Sequence, residues 1–164
     1  MIVSFDISTD TQDVFRVVLS SGEDCFFAGK DVYELLDNKV EIVEIDLERI
    51  SGNTPASINT LMKISEVIGN YFLQNNKAVL YYYCDDMNDI PVGNNRGLWP
   101  QQYRSELFGR MFQRRVRGMN SDIVDVIVLL QQESRPIYMH LIARSAHQKY
   151  IEALKDYIVS NYGK

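Results

Sequence analysis

Residues 123–144 read IVDVIVLLQQESRPIYMHLIAR, two apolar runs of strand character (123–130 and 137–144) separated by the polar turn QQESR. A turn this short joins antiparallel neighbours, whereas parallel neighbours need a crossover of a dozen residues or more. Working outward, residues 78–86, AVLYYYCDD, are too apolar and too short for a surface helix and consist of residues that strands favour, which predicts a central strand. Before it, TPASINTLMKISEVIGNYF predicts a helix with Thr54 as N-cap and Pro55 at the first helical position. Leu61, Ile64, Ile68, Tyr71 and Phe72 recur along it at helical spacing.

The N-terminal third reads as strands. Val3, Phe5 and Ile7 alternate with polar residues, and Phe15, Val17 and Leu19 do the same. A turn signal at Gly22 and a further run over 25–28 predict a hairpin there. Residues 31–37 fit a helical turn or a strand equally. Residues 40–50, VEIVEIDLERI, form a strand whose alternation changes phase between Ile42 and Val43, as a bulge or bend would require. A second helix is expected over 101–117, and SAHQKYIEALKDYIVSNYG closes the chain as an amphipathic helix carrying Tyr150, Leu154, Tyr157 and Ile158. The order gives an α+β fold: a mainly antiparallel sheet with about three helices packed on one face.

The chain has 164 residues, 46% hydrophobic and 24% charged, which suits one globular domain spanning 1–164. Its net charge of −5 opposes nucleic acid and anionic membrane as general partners. The charge is uneven: residues 1–53 carry twelve acids against four bases, whereas residues 96–117 carry six arginines against Glu106. Cys25 and Cys84 have neither disulfide-framework nor zinc spacing and read as buried reduced thiols. The start, MIVSFDISTD, lacks the features of a secretory signal, and no apolar run approaches about 18 residues. A cytoplasmic protein without membrane contact is expected.

The aromatic, strand-rich start, the helix entered through TPASINTLMKISEVIGNYF, the strand VLYYYCDD and the helix containing YRSELFGRMF together resemble a family of short, uncharacterised bacterial proteins, chiefly from Bacteroidetes, known as a domain of unknown function. The likeness covers nearly the whole chain, and its specific parts are the YYYCD strand and the aromatic helix after it. The loop of residues 87–100 is longer than that family's. The resemblance implies an α+β fold and assigns no catalytic residue.

Several constellations bear on chemistry. Asp85, Asp86 and Asp89 spell D-D-x-x-D, but they follow a strand rather than lining a helix wall, and no second acidic motif completes a metal site. On a helical wheel Tyr103, Leu107, Phe108, Met111 and Phe112 fill the core-facing half of the 101–117 helix, while Arg110, Arg114 and Arg117 form a basic stripe opposite. Such a stripe suits phosphates and equally suits intramolecular acids. Arg104 falls inside the apolar arc, where a guanidinium needs a partner, and Asp85 or Asp86 at the end of the central strand is the expected one. His140 and His147 are not spaced as a metal pair, no nearby serine or cysteine announces a triad, and each reads as a structural histidine. Trp99, with Arg96 on the same loop, suits an interface anchor as well as a staple onto the core.

No catalytic residue, metal or cofactor is assigned. The function expected is that of a non-enzymatic module binding a protein partner or a second copy of itself, through residues 87–100 and an exposed sheet edge. The alternative is nucleic-acid or phosphate-ligand binding by Arg110, Arg114 and Arg117, and, less favoured, a divalent-metal phosphoesterase built on Asp85 and Asp86.

Overall fold

The structure is a computed structural model that describes residues 1–27, 29–54, 56–84, 97–119, 122–132 and 135–163. One six-stranded sheet organises it. The strands are β1 (Ile2–Ser8), β2 (Val14–Ser21), β3 (Glu41–Ser51), β4 (Ala78–Cys84), β5 (Ile123–Gln132) and β6 (Arg135–Arg144), arranged in the order β1-β2-β3-β4-β6-β5. Only β3 and β4 pair in parallel, in the register Glu41↔Ala78 to Glu44↔Tyr81, and the helix α2 (Ile58–Gln74) makes the crossover that such a pair requires. The other pairs are antiparallel. The remaining helices are α1 (Lys30–Leu35), α3 (Pro100–Met119) and α4 (Gln148–Tyr162). The α+β class and the largely antiparallel sheet are as expected, and no described helix is long and apolar enough to cross a membrane.

The helices divide between the two faces instead of sharing one. Central strands here are apolar on both sides: Val79 and Tyr81 of β4 point one way, Ala78 and Leu80 the other. Each side therefore needs its own cover. On one, α1 and α4 bury Val32, Leu36, Ile151, Leu154 and Ile158 against Ile42, Tyr81 and Leu141. Tyr157 of α4 ties the pair together at the rim by donating to Asp31 of α1 at 2.6 Å. On the other, α2 lays Ile64 and Phe72 over Val17, Val43, Ile45 and Leu80, with Phe112 of α3 beside them.

Three local expectations change. Residues 40–50 contain no phase slip at Ile42 and Val43: the register across them is continuous, and they are buried consecutively because both faces of β3 are covered. The irregularity lies at the far end, where Val14 faces Ser51 but Phe15 faces Arg49, leaving Ile50 as the extra residue. The hairpin is β1–β2, not a pairing across Gly22. Cys25 and Phe27 turn inward instead and are buried, while Phe26 between them faces solvent. The Phe26 amide donates to Glu44 Oε2 at 2.9 Å and to Tyr81 Oη at 3.1 Å, so its backbone is satisfied without a sheet neighbour. Finally, α2 is capped by Ser57, whose hydroxyl accepts from the Thr60 amide at 3.2 Å, while Thr54 lies outside the helix. Residues 31–37, ambiguous by pattern, open as α1.

Candidate functional site

The helix α3 sits over β4 and β6 on the α2 face, and its rotation differs from the apolar wheel. The deeply buried line along its first turns is polar: Gln101, Arg104 and Ser105. Tyr103, Leu107, Phe108, Met111 and Phe112 are half-buried, flanking that line instead of forming it. The sheet side chain that decides this rotation is His140 of β6, which is 0% exposed. Its Nε2 lies 2.7 Å from Ser105 Oγ, and its Nδ1 lies 3.0 and 3.1 Å from the two carboxylate oxygens of Asp125 on β5. A carboxylate only accepts, so Nδ1–H donates to Asp125. In the neutral ring, Nε2 then accepts the Ser105 hydroxyl proton. The ring stacks on Tyr82, with centroids 4.5 Å apart and planes 8° from parallel.

Ser105, His140 and Asp125 thus have the connectivity of a nucleophile, base and orienting acid. Their setting opposes that use. Ser105 is 4% exposed and does not line the neighbouring cleft, so an acyl group has no approach to its oxygen. What the chain of bonds does is satisfy a buried imidazole at both nitrogens and fasten α3 to two strands. His140 is the satisfied structural histidine expected. His147, by contrast, is only partly buried, and desolvation with the Arg144 charge lowers its pKa, favouring the neutral ring.

Beside this chain, α2 and α3 splay apart and leave a cleft of about 170 Å³ over the sheet. Leu80, Ile142 and Ile45 form its floor, Ile64 and Phe72 one wall, and Phe108 and Phe112 the other. Tyr82 Oη and Arg115 Nε, both buried in this wall, have no hydrogen-bond partner among the described residues. Burial, and secondarily the Asp125 charge, push the Tyr82 phenol far up, so it stays a neutral donor. Arg115 reaches across to α2, where its Nη2 donates to Asn70 Oδ1 at 3.2 Å.

The sheet ends in two different edges. β1 carries Asp6, held bidentately by Arg16 of β2 at 2.7 and 3.0 Å. Among the described residues β5, ten residues long, is covered by α4 on one face only. On the other, its acid Asp125 is turned inward to His140, and Ile127 and Leu129 are left 51% and 52% exposed.

The remaining expected residues separate. Arg110, Arg114 and Arg117 lie on the solvent side of α3, as the wheel predicted, and Arg110 pairs with Glu106 at 3.2 Å. Arg104 is buried at 5% exposure, confirming its place in the arc. Its expected partners Asp85 and Asp86 lie outside the described residues, as do Arg96 and residues 87–96 of the loop. Trp99 is 53% exposed. Among the described residues no group of three or more His, Cys, Asp or Glu side chains is placed to hold a metal ion.

Sequence reasoning missed the Ser105–His140–Asp125 chain, because its members come from three elements. The signal available was the β5–β6 hairpin itself, whose register sets His140 opposite Ile127 and one pleat from Asp125 on the same face. No family model matches the chain, nor does any curated protein or solved structure.

Proposed function

We propose that the protein is a non-enzymatic, self-associating module, and that two copies join through the free edges of their β5 strands. The carrying observation is the pair of half-exposed apolar side chains, Ile127 and Leu129, on a ten-residue edge strand. Natural sheets guard edges of this length with charge, proline or a covering element. Among the described residues β5 has no such guard on its outer side: its one acid is committed to His140, and α3 stands over β6 and β4. A two-fold axis at Val128 sets Ile127 of each copy across from Leu129 of the other, and Asp125 across from Gln131. Apolar meets apolar there and no like charges oppose. The two sheets then run on as one, and the outward amides and carbonyls of β5 gain partners. The buried cysteines Cys25 and Cys84, whose spacing suits no disulfide framework, fit a cytoplasmic setting.

Light scattering on the eluting protein tests this. The wild type is expected at twice the 19.0 kDa chain mass, and Ile127→Lys with Leu129→Lys at the monomer mass with an unchanged circular dichroism spectrum. A wild type that stays monomeric at high micromolar concentration sinks the proposal.

A further inference from the structure

The cleft between α2 and α3 has a property that self-association leaves unused: a largely apolar interior with Tyr82 Oη and Arg115 Nε set into its wall, both without a hydrogen-bond partner among the described residues. We infer that it binds a small amphipathic acid, with the carboxylate at Arg115 and the apolar chain laid along the cleft over Leu80 and Ile142. Two observations converge on this ligand, and one physical consequence follows from them. The volume of about 170 Å³ matches cavities that hold a single small apolar molecule and is too small for a two-chain lipid. The Arg115 Nε–H is buried without an acceptor among the described residues, and its fixed positive charge selects an anion over a neutral polar group. Leaving such a donor unsatisfied is unfavourable, so a ligand oxygen there gains more than a solvent-exposed contact would.

Length follows from the helix. Phe108, whose ring packs edge-on to Tyr82 at 5.6 Å, and Arg115 are seven residues apart on α3, about 10 Å at the helical rise. Tyr82 and Phe108 therefore stand about that far from Arg115 within the cleft, whose lining continues past them to Arg104. That separation suits an acyl chain of medium length. Ser105 and His140 take no part, since neither lines the cleft.

The test is calorimetric titration of the purified protein with sodium octanoate and, separately, with 1-octanol, which shares the chain and lacks the charge. The wild type is expected to bind octanoate saturably and about tenfold tighter than octanol. Arg115→Met keeps the aliphatic body and should bring octanoate down to the octanol affinity. Ser65→Phe, which fills the cleft from the α2 side, should abolish both, with the circular dichroism spectrum of each unliganded variant serving as the folding control. No saturable octanoate binding by the wild type at millimolar concentration overturns the inference. So does an unchanged octanoate preference in Arg115→Met, or unchanged binding in Ser65→Phe.

Discussion

The two edges of the sheet handle one problem in opposite ways. At the β1 edge an acid and a base face outward and meet each other: Asp6 and Arg16 form an exposed bidentate pair that any incoming strand would have to desolvate. At the β5 edge the acid faces inward, where Asp125 orients a fully buried histidine, and the outward positions fall to Ile127 and Leu129. A charge that completes an internal network is no longer available to guard an edge. The inward network and the exposed edge are thus two consequences of where one side chain points.

The largest expected effect comes from breaking the inward side of that contrast. His140→Ala strips the partner from a mostly buried carboxylate and a buried hydroxyl and opens a cavity, and it should destabilise the protein by about 3–4 kcal/mol in denaturant titration. Ser105→Ala removes only the terminal bond and leaves Nε2 without a donor, so about 1 kcal/mol is expected. A loss as large as that of His140→Ala would mean that the serine does more than end the chain. Reversing the outward side sharpens the comparison. Asp6→Val with Arg16→Val makes β1 as apolar as β5, and a chain with two open edges should form species larger than a dimer, seen by sedimentation velocity. If those substitutions leave the association state untouched, charge is not what guards β1.

The smallest effect is electrostatic. The Arg16 guanidinium holds the Asp6 carboxyl below its ordinary value of 3.8 by a direct hydrogen bond and by its charge. A depressed carboxyl stabilises the fold above its unfolded pKa, and that contribution disappears as pH falls through the folded one. Arg16→Met should therefore raise the Asp6 pKa towards 3.8 in a carbon-detected titration and flatten the acid limb of the stability curve slightly. Both groups are exposed, so the midpoint at neutral pH should not move measurably. An Asp6 pKa indifferent to the substitution would remove the pair from the account.

Pattern was legible where a single element carried it. The β5–β6 hairpin, the central β4 and the apolar side of α2 all follow from spacing, because burial on one face or both writes itself into alternation. Reading went astray where two elements competed for one stretch. Consecutive burial across Ile42 and Val43 imitated a bulge, since a strand covered on both faces loses its period. The cap moved from Thr54 to Ser57 because either hydroxyl could serve and only the helix's packing on the sheet chooses between them. For α3 the wheel correctly found Arg104 inside and Arg110, Arg114 and Arg117 outside. It could not show that a histidine on another element would draw Ser105 inward and turn Tyr103 and Leu107 towards the rim. The site residues are legible only as pairs, and pairs are a property of the sheet's register.

Residue-resolved hydrogen exchange of the wild type over a concentration series tests the edge claim most directly. Alternate amides of β5 point away from β6, and pairing of two copies should slow their exchange as concentration rises while β1 stays constant. Exchange along β5 that is independent of concentration, or protection gained at β1 instead, would contradict the account.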